Sequence, residues 1–265
     1  MDLELEGSTA FVAASSKGLG LASAKRLAME GANVVISSRK EGNLEEASAE
    51  ITDTSGVDAS QVHSVVCDLT DGPSIRTAIE AAVEEFGGLD VLVNNHGGPP
   101  AVTFEEATEQ QWDDAYSGVV KANVRLARAG LPHLRESDHG SLVVVTSASA
   151  REPGENHALS NVFRLGLYGL TKTIAVEYAP DVRANCVTPR FVMTDRIEYK
   201  IRRRAEHRGI SVDEALQSRI DEVLLDRSGT PEEFATAVAY LASPKSGYVT
   251  GDVLSVDGGW SRDVL

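Results

Sequence analysis

TAFVAASSKGLGLASAKRLA, residues Thr9–Ala28, joins an apolar run to an amphipathic segment through a turn that contains Gly18 and Gly20. The apolar run predicts a buried strand, and the segment after the turn predicts a helix. Glycine lets the backbone approach a ligand closely, and the first N–H groups of the helix then face an anion such as a phosphate. A lone G-x-G also occurs in ordinary strand–helix turns, so its meaning depends on the remainder of the chain.

The remainder of the chain repeats this alternation of strand and helix. Strands are predicted at Thr9–Ala13, Asn33–Ser37, Val62–Cys67, Leu89–Asn94, Ser141–Thr146, Arg183–Val187 and Val253–Val256. Helices are predicted at Leu19–Glu30, Leu44–Thr52, Pro73–Phe86, Glu109–Arg135, Val162–Ala179, Arg196–Arg208, Val212–Asp226 and Glu232–Leu241. The strands are almost continuously apolar, which is typical of a parallel sheet buried on both faces. The sequence therefore predicts an α/β protein: one doubly wound Rossmann domain over residues 1–265, with about seven parallel strands and helices on both faces.

The stretch Asp195–Ser228 interrupts this alternation, because it offers two helices with no strand between them. Ligands of open α/β sheets bind outside the carboxyl ends of the strands, so we predict that residues 195–228 form a helical lid over a substrate. A packing excursion or an interface element is the alternative. Within this stretch Lys200–Arg208, KIRRRAEHR, either contacts an acidic or phosphorylated substrate or forms a solvated face with its own acids, the more common role of a charge run.

The composition excludes several classes of protein. The chain has 265 residues, with 25 Lys and Arg against 40 Asp and Glu, for a formal charge of −15. An acidic chain repels phosphate backbones, so no nucleic-acid partner is expected. No apolar run approaches the ~18 residues of a membrane span, and the acidic start lacks the basic region of a signal peptide. The two cysteines, Cys67 and Cys186, fit a cytoplasmic protein, and no metal-ligand spacing occurs.

The basic residues comprise seven Lys and eighteen Arg. Strong acidity with few Lys favours a halophilic protein that stays soluble in high salt, where self-repulsion is screened. An ordinary acidic protein from a GC-rich genome is the alternative.

Several motifs occur in a fixed order along the chain. They are Ala13–Gly20 (AASSKGLG), Ser37-Ser38-Arg39, Cys67-Asp68-Leu69-Thr70, Asn94-Asn95-His96-Gly97, Val187-Thr188-Pro189 with Thr194, and Tyr248–Gly259 (YVTGDVLSVDGG). On these motifs the chain resembles the short-chain dehydrogenase/reductase family over nearly its whole length. It departs from the family pattern at Ala14, His96 and Arg190, where the family usually has Gly, Ala and Gly.

The resemblance implies that the chain binds a nicotinamide dinucleotide. Members that use NAD usually carry Asp at the end of the second strand, where it holds the ribose 2′-OH. Here Ser38 and Arg39 supply no carboxylate, and Arg39 with Lys17 looks like a clamp for the 2′-phosphate of NADP(H). The cofactor-binding residues implied are Ser15, Ser16, Lys17, Gly18, Leu19, Gly20, Ser38, Arg39, Asp68, Leu69, Asn95, Gly97, Arg164 and Thr194.

The family's catalytic positions are only partly retained. The family uses Asn, Ser, Tyr and Lys, in which Tyr is the general acid/base and Lys lowers the pKa of Tyr. Spacing places Ser147 at the Ser position, Ser160 at Tyr and Arg164 at Lys, whereas Val119 stands at Asn. The implied catalytic residues are therefore Ser147, Ser160 and Arg164, with no metal.

A second Y-x-x-x-K pattern begins at Tyr168 and ends at Lys172. Tyr168 is eight residues beyond Ser160, about 12 Å along a helix and turned by roughly 80°, which disfavours it as the catalytic acid. Because Ser is a poor acid, His157 and His96 are also candidates to move the proton. A solvated His157 and a packed His96 are the alternatives.

The sequence thus predicts an NADP(H)-dependent oxidoreductase acting on a carbonyl or alcohol, such as a 3-oxoacyl, ketone or sugar substrate. The alternative is a non-catalytic NADP(H)-binding protein that has lost the tetrad. By resemblance we also expect a homo-oligomer, a tetramer or a dimer. The apolar segments Val119–Leu131 and Leu165–Ile174 are compatible with burial against a partner, and burial inside the monomer explains them equally well.

Overall fold

A computed structural model describes residues 2–54 and 56–262 of the chain. Seven strands form one parallel sheet in the order β3-β2-β1-β4-β5-β6-β7, which confirms the predicted doubly wound sheet. The strands are β1 Thr9–Val12, β2 Asn33–Ser38, β3 Val62–Val66, β4 Val91–Asn94, β5 Ser141–Val145, β6 Arg183–Pro189 and β7 Val253–Val256.

Helices connect the strands. They are α1 Gly18–Met29, α2 Glu41–Thr52, α3 Gly72–Phe86, α4 Glu109–Ala115, α5 Ala122–Leu134, α6 Ala158–Tyr178, α7 Asp195–Arg208, α8 Val212–Ile220 and α9 Pro231–Ala242. Within the described ranges, no helix is both long and apolar enough to cross a membrane.

The strands are apolar on both sides because both faces of the sheet are covered by helices. Val12 and Val93 pack with α1, α2 and α9 on one face, whereas Phe11 and Leu92 pack with α3, α5 and α6 on the other. All four side chains are fully buried. Neighbouring residues of a strand point to opposite faces, so each strand contributes to both cores.

The order of the strands fixes where a ligand can bind. β1 pairs with β2 on one side and with β4 on the other, so the chain reverses its direction of winding at β1. The loops after β1 and β4 diverge at the carboxyl end of the sheet and leave a crevice between them. This crevice is where the predicted site residues are expected to meet.

Some predicted boundaries differ from the structure. The predicted helix Glu109–Arg135 is divided into α4, a π-helical segment at Tyr116–Lys121 and α5. The π-helical hydrogen bonding is a feature that hydrophobic periodicity does not encode. The helix predicted to reach Asp226 ends at Ile220, and Asp226 itself has a φ of 55°, which a right-handed helix cannot contain.

The two helices predicted between Asp195 and Ser228 are present as α7 and α8. Both pack on a small core of their own, which includes Phe191, Ile201, Ala215 and Val223. Because the segment buries its apolar side chains in this separate cluster, α7 and α8 lie beside the carboxyl end of the sheet rather than against its faces.

Candidate active site

The turn between β1 and α1 leaves no room for a side chain at Gly20. A Cβ on Gly20 would lie 2.5 Å from the Ala14 carbonyl oxygen and 2.6 Å from Asn95 Nδ2, so only glycine fits there. Asn95 Nδ2 donates to the carbonyls of Ala14 at 3.0 Å and Ala13 at 3.2 Å. The loop after β4 therefore fixes the loop after β1 across the crevice.

Ser15 shapes this turn from inside the protein. Its hydroxyl donates to the Val12 carbonyl at 2.7 Å and accepts from the Ser37 N–H at 2.9 Å, and the side chain is fully buried. The sequence predicted Ser15 as a cofactor contact. In the structure its hydroxyl and its N–H, which donates to the Ser37 carbonyl, both hold the loop on β2, and the cofactor contact of Ser15 stays a prediction.

Ala14 stands at the position of the family's first glycine and has a φ of 48°. A left-handed backbone conformation destabilises a residue that has a Cβ by about 1–2 kcal/mol relative to glycine. Replacement by glycine recovers only part of this energy, because glycine also increases the conformational entropy of the unfolded chain. We therefore expect Ala14→Gly to raise stability by about 1 kcal/mol, or roughly 2–4 °C in Tm. A thermal melt checks this, with Ala13→Gly as the matched control that is expected to lower Tm. An unchanged or lower Tm for Ala14→Gly would contradict the strain at this position.

The groove continues from this turn to the end of β2. Ser16 Oγ donates to Ser38 Oγ at 3.2 Å, and Arg39 follows with an exposed guanidinium. Two hydrogen bonds from Thr70 are the main cause that lowers the pKa of Asp68, and the charge of Arg39 adds to the effect. Arg39 and Asp68 thus lie at one end of the crevice. Lys17 is exposed at the start of α1.

Other predicted cofactor contacts are distributed along the crevice. Gly18 is close enough to Thr194 that a Cβ on the glycine would lie 3.8 Å from Thr194 Cγ2. The Gly97 carbonyl accepts a hydrogen bond from His96. Leu19 and Leu69 are partly buried against the two cores of the sheet, so they support the crevice walls.

Three serine hydroxyls form a continuous chain beyond the end of β5. Ser149 Oγ donates to Ser147 Oγ at 3.1 Å and lies 3.1 Å from Ser160 Oγ. We call Ser147, Ser149 and Ser160 the serine chain. Because Ser149 donates to Ser147, the hydroxyl hydrogen of Ser147 remains available to a substrate. Ser160, which stands at the Tyr position, thus remains connected to Ser147.

Arg164 lies one helical turn after Ser160 and is buried at 9% exposure. Its Nη1 donates to the carbonyl of Thr146, the residue that precedes Ser147, whereas its buried Nε has no partner. Burial and, secondarily, the charge of Arg196 lower the pKa of Arg164 to about 10, so the side chain stays cationic at neutral pH. A buried cation without a carboxylate is costly to fold and is typical of a functional site.

The position that the family's Asn occupies is buried in this protein and carries an apolar side chain. Val119 lies in the π-helical segment Tyr116–Lys121, and its carbonyl accepts a hydrogen bond from Asn123 Nδ2 at 2.7 Å. Both residues are fully or almost fully buried. Val119 therefore supplies no polar side chain at this position, and its carbonyl already accepts a hydrogen bond from Asn123.

The Y-x-x-x-K pair is engaged with other elements. The Tyr168 hydroxyl lies 3.0 Å from Thr188 Oγ1, which is 2.7 Å from Thr146 Oγ1. Lys172 Nζ donates instead to the carbonyl of Gly251 at 3.1 Å. Tyr168 and Lys172 are therefore engaged with different elements, and the assignment of Ser160 and Arg164 to the catalytic positions stays a prediction.

The two candidate histidines differ in their surroundings. His96 Nδ1 donates to the Gly97 carbonyl at 2.7 Å, and its buried Nε2 has no partner. Burial, and then the charge of Arg164, lower the pKa of His96 to about 3, so it is neutral and is not a proton donor near neutrality. Burial is also the largest cause that lowers the pKa of His157, followed among the lowering effects by the charge of Lys200.

Sequence reasoning missed three parts of the site. Ser149 gave no signal because a serine next to a strand end is common. Arg196 lies in the predicted lid, and its Nη2 donates to the carbonyl of Gly98 at 3.1 Å, which joins α7 to the loop after β4. Lys200 was noticed only as part of a charge run.

In the part of the chain that the structure describes, no group of three or more His, Cys, Asp or Glu is placed to hold a metal.

Comparisons with known proteins agree with this fold. A family model described as Enoyl-(Acyl carrier protein) reductase matches residues 13–261. The chain is 36% identical over 256 residues to tropinone reductase-like 3 of Erythroxylum coca, which covers 96% of this chain and 93% of that protein. It is 34% identical over 256 residues to the short-chain dehydrogenase/reductase SDRA of Arabidopsis thaliana, covering 96% and 95% of the two chains. The chain therefore belongs to the short-chain dehydrogenase/reductase family, a family of oxidoreductases.

Solved structures of the same fold include proteins with NADPH bound. L-sorbose reductase from Gluconobacter frateurii, complexed with NADPH and L-sorbose, is 32% identical, covers 100% of both chains and superposes with a TM-score of 0.93. An NADPH-bound short-chain oxidoreductase of Pseudomonas aeruginosa is 30% identical over 97% of this chain and 98% of its own, with a TM-score of 0.88. That oxidoreductase is described as containing an atypical catalytic centre.

Proposed function

We propose that the protein is an NADP(H)-dependent short-chain oxidoreductase that transfers a hydride between the nicotinamide and a carbonyl or alcohol. The observation that carries this proposal is the serine chain, which leads from Ser160 to Ser147 beside the buried cation of Arg164. A protein that only binds the dinucleotide needs neither a substrate-facing hydroxyl nor a buried unpaired charge. The second candidate, a non-catalytic NADP(H)-binding protein, is favoured only by the loss of Tyr and Lys.

The residues of the crevice fit NADP(H). The turn closed by Gly20 and the exposed Lys17 suit the pyrophosphate, since the start of α1 presents N–H groups and a cation. Arg39 and Ser38 suit a 2′-phosphate. Thr194, which begins α7 without using its hydroxyl as a cap, suits the nicotinamide end beside Gly18.

NADPH supplies the hydride when it is bound. We propose that the Ser147 hydroxyl donates a hydrogen bond to the carbonyl oxygen of the substrate and passes it a proton as hydride arrives at carbon. Ser147 then recovers a proton from Ser149, and Ser149 from Ser160, which is replenished by solvent or His157. Arg164 keeps its proton, and its charge stabilises the negative charge that develops on the oxygen, while its free Nε donor suits a ribose hydroxyl.

Oxidation of NADPH by a panel of aldehydes, ketones, 3-oxoacyl thioesters and sugars, at low and at high salt, tests the activity. Turnover with at least one carbonyl is expected, and Ser147→Ala is expected to reduce it about 10²-fold or more. The matched control is Ser48→Ala, in the middle of α2 and outside the crevice. If NADPH binds and no carbonyl is reduced, the non-catalytic alternative holds.

Cofactor preference provides a separate prediction. Charge-assisted hydrogen bonds to a phosphate contribute about 1.5–3 kcal/mol each, so we expect NADPH to bind more than about tenfold tighter than NADH. Arg39→Gln is expected to remove most of this difference without weakening NADH. Binding titrations of both cofactors measure it, with Lys25→Gln on α1 as a control that loses the same charge. Equal affinities of the unaltered protein for NADPH and NADH would remove the basis for the clamp.

We also propose a homo-oligomer, a dimer or tetramer. The two segments predicted for an interface differ in how far their apolar side chains are exposed. Val119, Leu126 and Leu131 are buried within the protomer, whereas Leu165 on α6 is 54% exposed. An interface formed by this part of the chain would therefore use α6 rather than α5.

We further propose a cytoplasmic, salt-adapted protein whose residues 1–265 act as one domain with residues 195–228 as the lid. Cys67 and Cys186 are both free thiols, and burial raises the pKa of Cys186 to about 12, which leaves it unreactive. The formal charge of −15 supports the salt adaptation.

A further inference from the structure

Arg164, Arg196 and Lys200 form a group of positive charges between α6 and α7. We call these three residues the cation cluster. Arg196 and Lys200 are four residues apart on α7, so their side chains leave the same side of that helix. Arg196 Nη2 donates to the carbonyls of Gly98 and Pro99 in the loop after β4, and the charge of Arg196 lowers the pKa of the buried Arg164.

The cation cluster is without compensating acids. Lys200 is exposed at the surface of α7, yet partial burial, and then the charges of Arg196 and Arg164, lower its pKa to about 8. Of the charged groups that affect Arg164, Arg196 and Lys200, none is a carboxylate within the described ranges. Other cations of α7 behave differently, since Arg202 pairs with Glu198 and Arg203 pairs with Glu206.

The absence of acids at this place is informative because the chain has 40 Asp and Glu. Carboxylates are near the neighbouring Arg190 and Arg219. Arg219 Nη1 lies 2.6 Å from Glu222. Burial and the charge of Arg219 lower the pKa of Arg190, and Glu222, Glu152 and Asp257 partly offset this lowering. Arg190 itself stacks on Trp260 at 3.9 Å. The cation cluster thus differs from Arg190 and Arg219, which have acids nearby, and within it the buried Arg164 Nε has no partner.

We propose that the cation cluster binds an oxyanion carried by the substrate, so that the enzyme acts on carbonyl compounds with a carboxylate or a phosphate ester near the reacting carbon. This inference rests on the proposed function for the reaction, but the anion site itself does not. Arg guanidinium groups bind such oxyanions through two parallel hydrogen bonds, and Lys adds a point charge. α7 would thereby act as a lid that recognises the substrate as well as covering it.

Matched pairs of carbonyl compounds test the proposal in the unaltered protein. The pairs are acetoacetate with methyl acetoacetate, and dihydroxyacetone phosphate with dihydroxyacetone. The charged member of at least one pair is expected to have a kcat/KM about tenfold higher or more, and the pair that shows it distinguishes a carboxylate from a phosphate. Equal values, or a preference for the neutral members, would overturn the proposal while leaving the reductase function intact.

Lys200→Met tests the cluster directly. It is expected to lower the ratio of kcat/KM between the charged and the neutral member about tenfold, whereas Arg202→Met, which removes a charge paired with Glu198 on the opposite side of the same helix, leaves that ratio unchanged. If Lys200→Met instead weakens only NADPH, the cluster serves the pyrophosphate of the cofactor and the proposal is wrong.

A binding measurement separates this inference from the reaction. Isothermal titration of acetoacetate and of dihydroxyacetone phosphate into the NADP⁺-bound protein is expected to show binding of at least one, and Lys200→Met to weaken it about tenfold. Binding without turnover of any carbonyl would disprove the reductase function and retain the anion site. If neither compound gives a heat of binding, the anion site is disproved.

Discussion

Ser160→Tyr combined with Arg164→Lys is expected to raise the rate of NADPH oxidation by a carbonyl about 10²–10⁴-fold, the usual contribution of a general acid. The reason is electrostatic. A tyrosine at position 160 would begin one helical turn before the lysine on α6. Nearby cations lower the pKa of a phenol and bring it closer to neutrality. The serine hydroxyl that stands there now is a much weaker acid.

The measurement is kcat with the best carbonyl of the panel, for the double variant and for each single variant. Ser160→Tyr alone is expected to gain less, because Arg164 is fixed on the Thr146 carbonyl. A triple variant adds Val119→Asn, although Asn123 already occupies the Val119 carbonyl. Tyr168→Phe is the control for the second Y-x-x-x-K pattern. If it abolishes turnover while Ser160→Ala retains it, catalysis belongs to Tyr168 and Lys172.

Strand positions could be predicted closely from the sequence because burial on both faces demands nearly continuous apolar runs. β4 and β5 show this, since every residue of both strands is buried. The placement of Ser160 and Arg164 on one face of a helix could also be predicted from the sequence, because residues four apart are neighbours on the surface of a helix. In the structure α6 begins earlier than predicted, at Ala158, and both side chains are buried.

Other features of the site depend on tertiary contacts that a sequence does not reveal. The run KIRRRAEHR contains both paired and unpaired cations, and the packing of Ile201 and Ala205 against Phe191 and its neighbours decides which side of α7 is buried. The π-helical segment around Val119 changes the hydrogen-bond register without changing the hydrophobic pattern. Ser149 joins Ser147 to Ser160 through distances that no motif records.

His96→Ala is expected to make the stability of the protein less sensitive to acid. His96 is buried, and its pKa in the folded protein is lowered to about 3 from an ordinary value of 6.5. As the pH falls below about 6.5, the unfolded chain takes up a proton on this residue and the folded protein does not. Its contribution to stability is therefore fully present above about pH 6.5 and is lost as the pH falls toward 3, by about 1.4 kcal/mol per pH unit.

Urea unfolding at about pH 7.5 and about pH 5 measures this difference, which is expected to reach about 2 kcal/mol at the lower pH. Carboxylates that titrate in the same range are common to both proteins, so their effect cancels in the comparison. His96→Asn is the matched control, because it cannot be protonated either but retains a donor for the Gly97 carbonyl. Both variants should lose the same pH slope, whatever their stability at neutral pH. Parallel curves for all three proteins would mean that His96 has the same pKa in the folded protein as in the unfolded chain, which would contradict the lowered pKa.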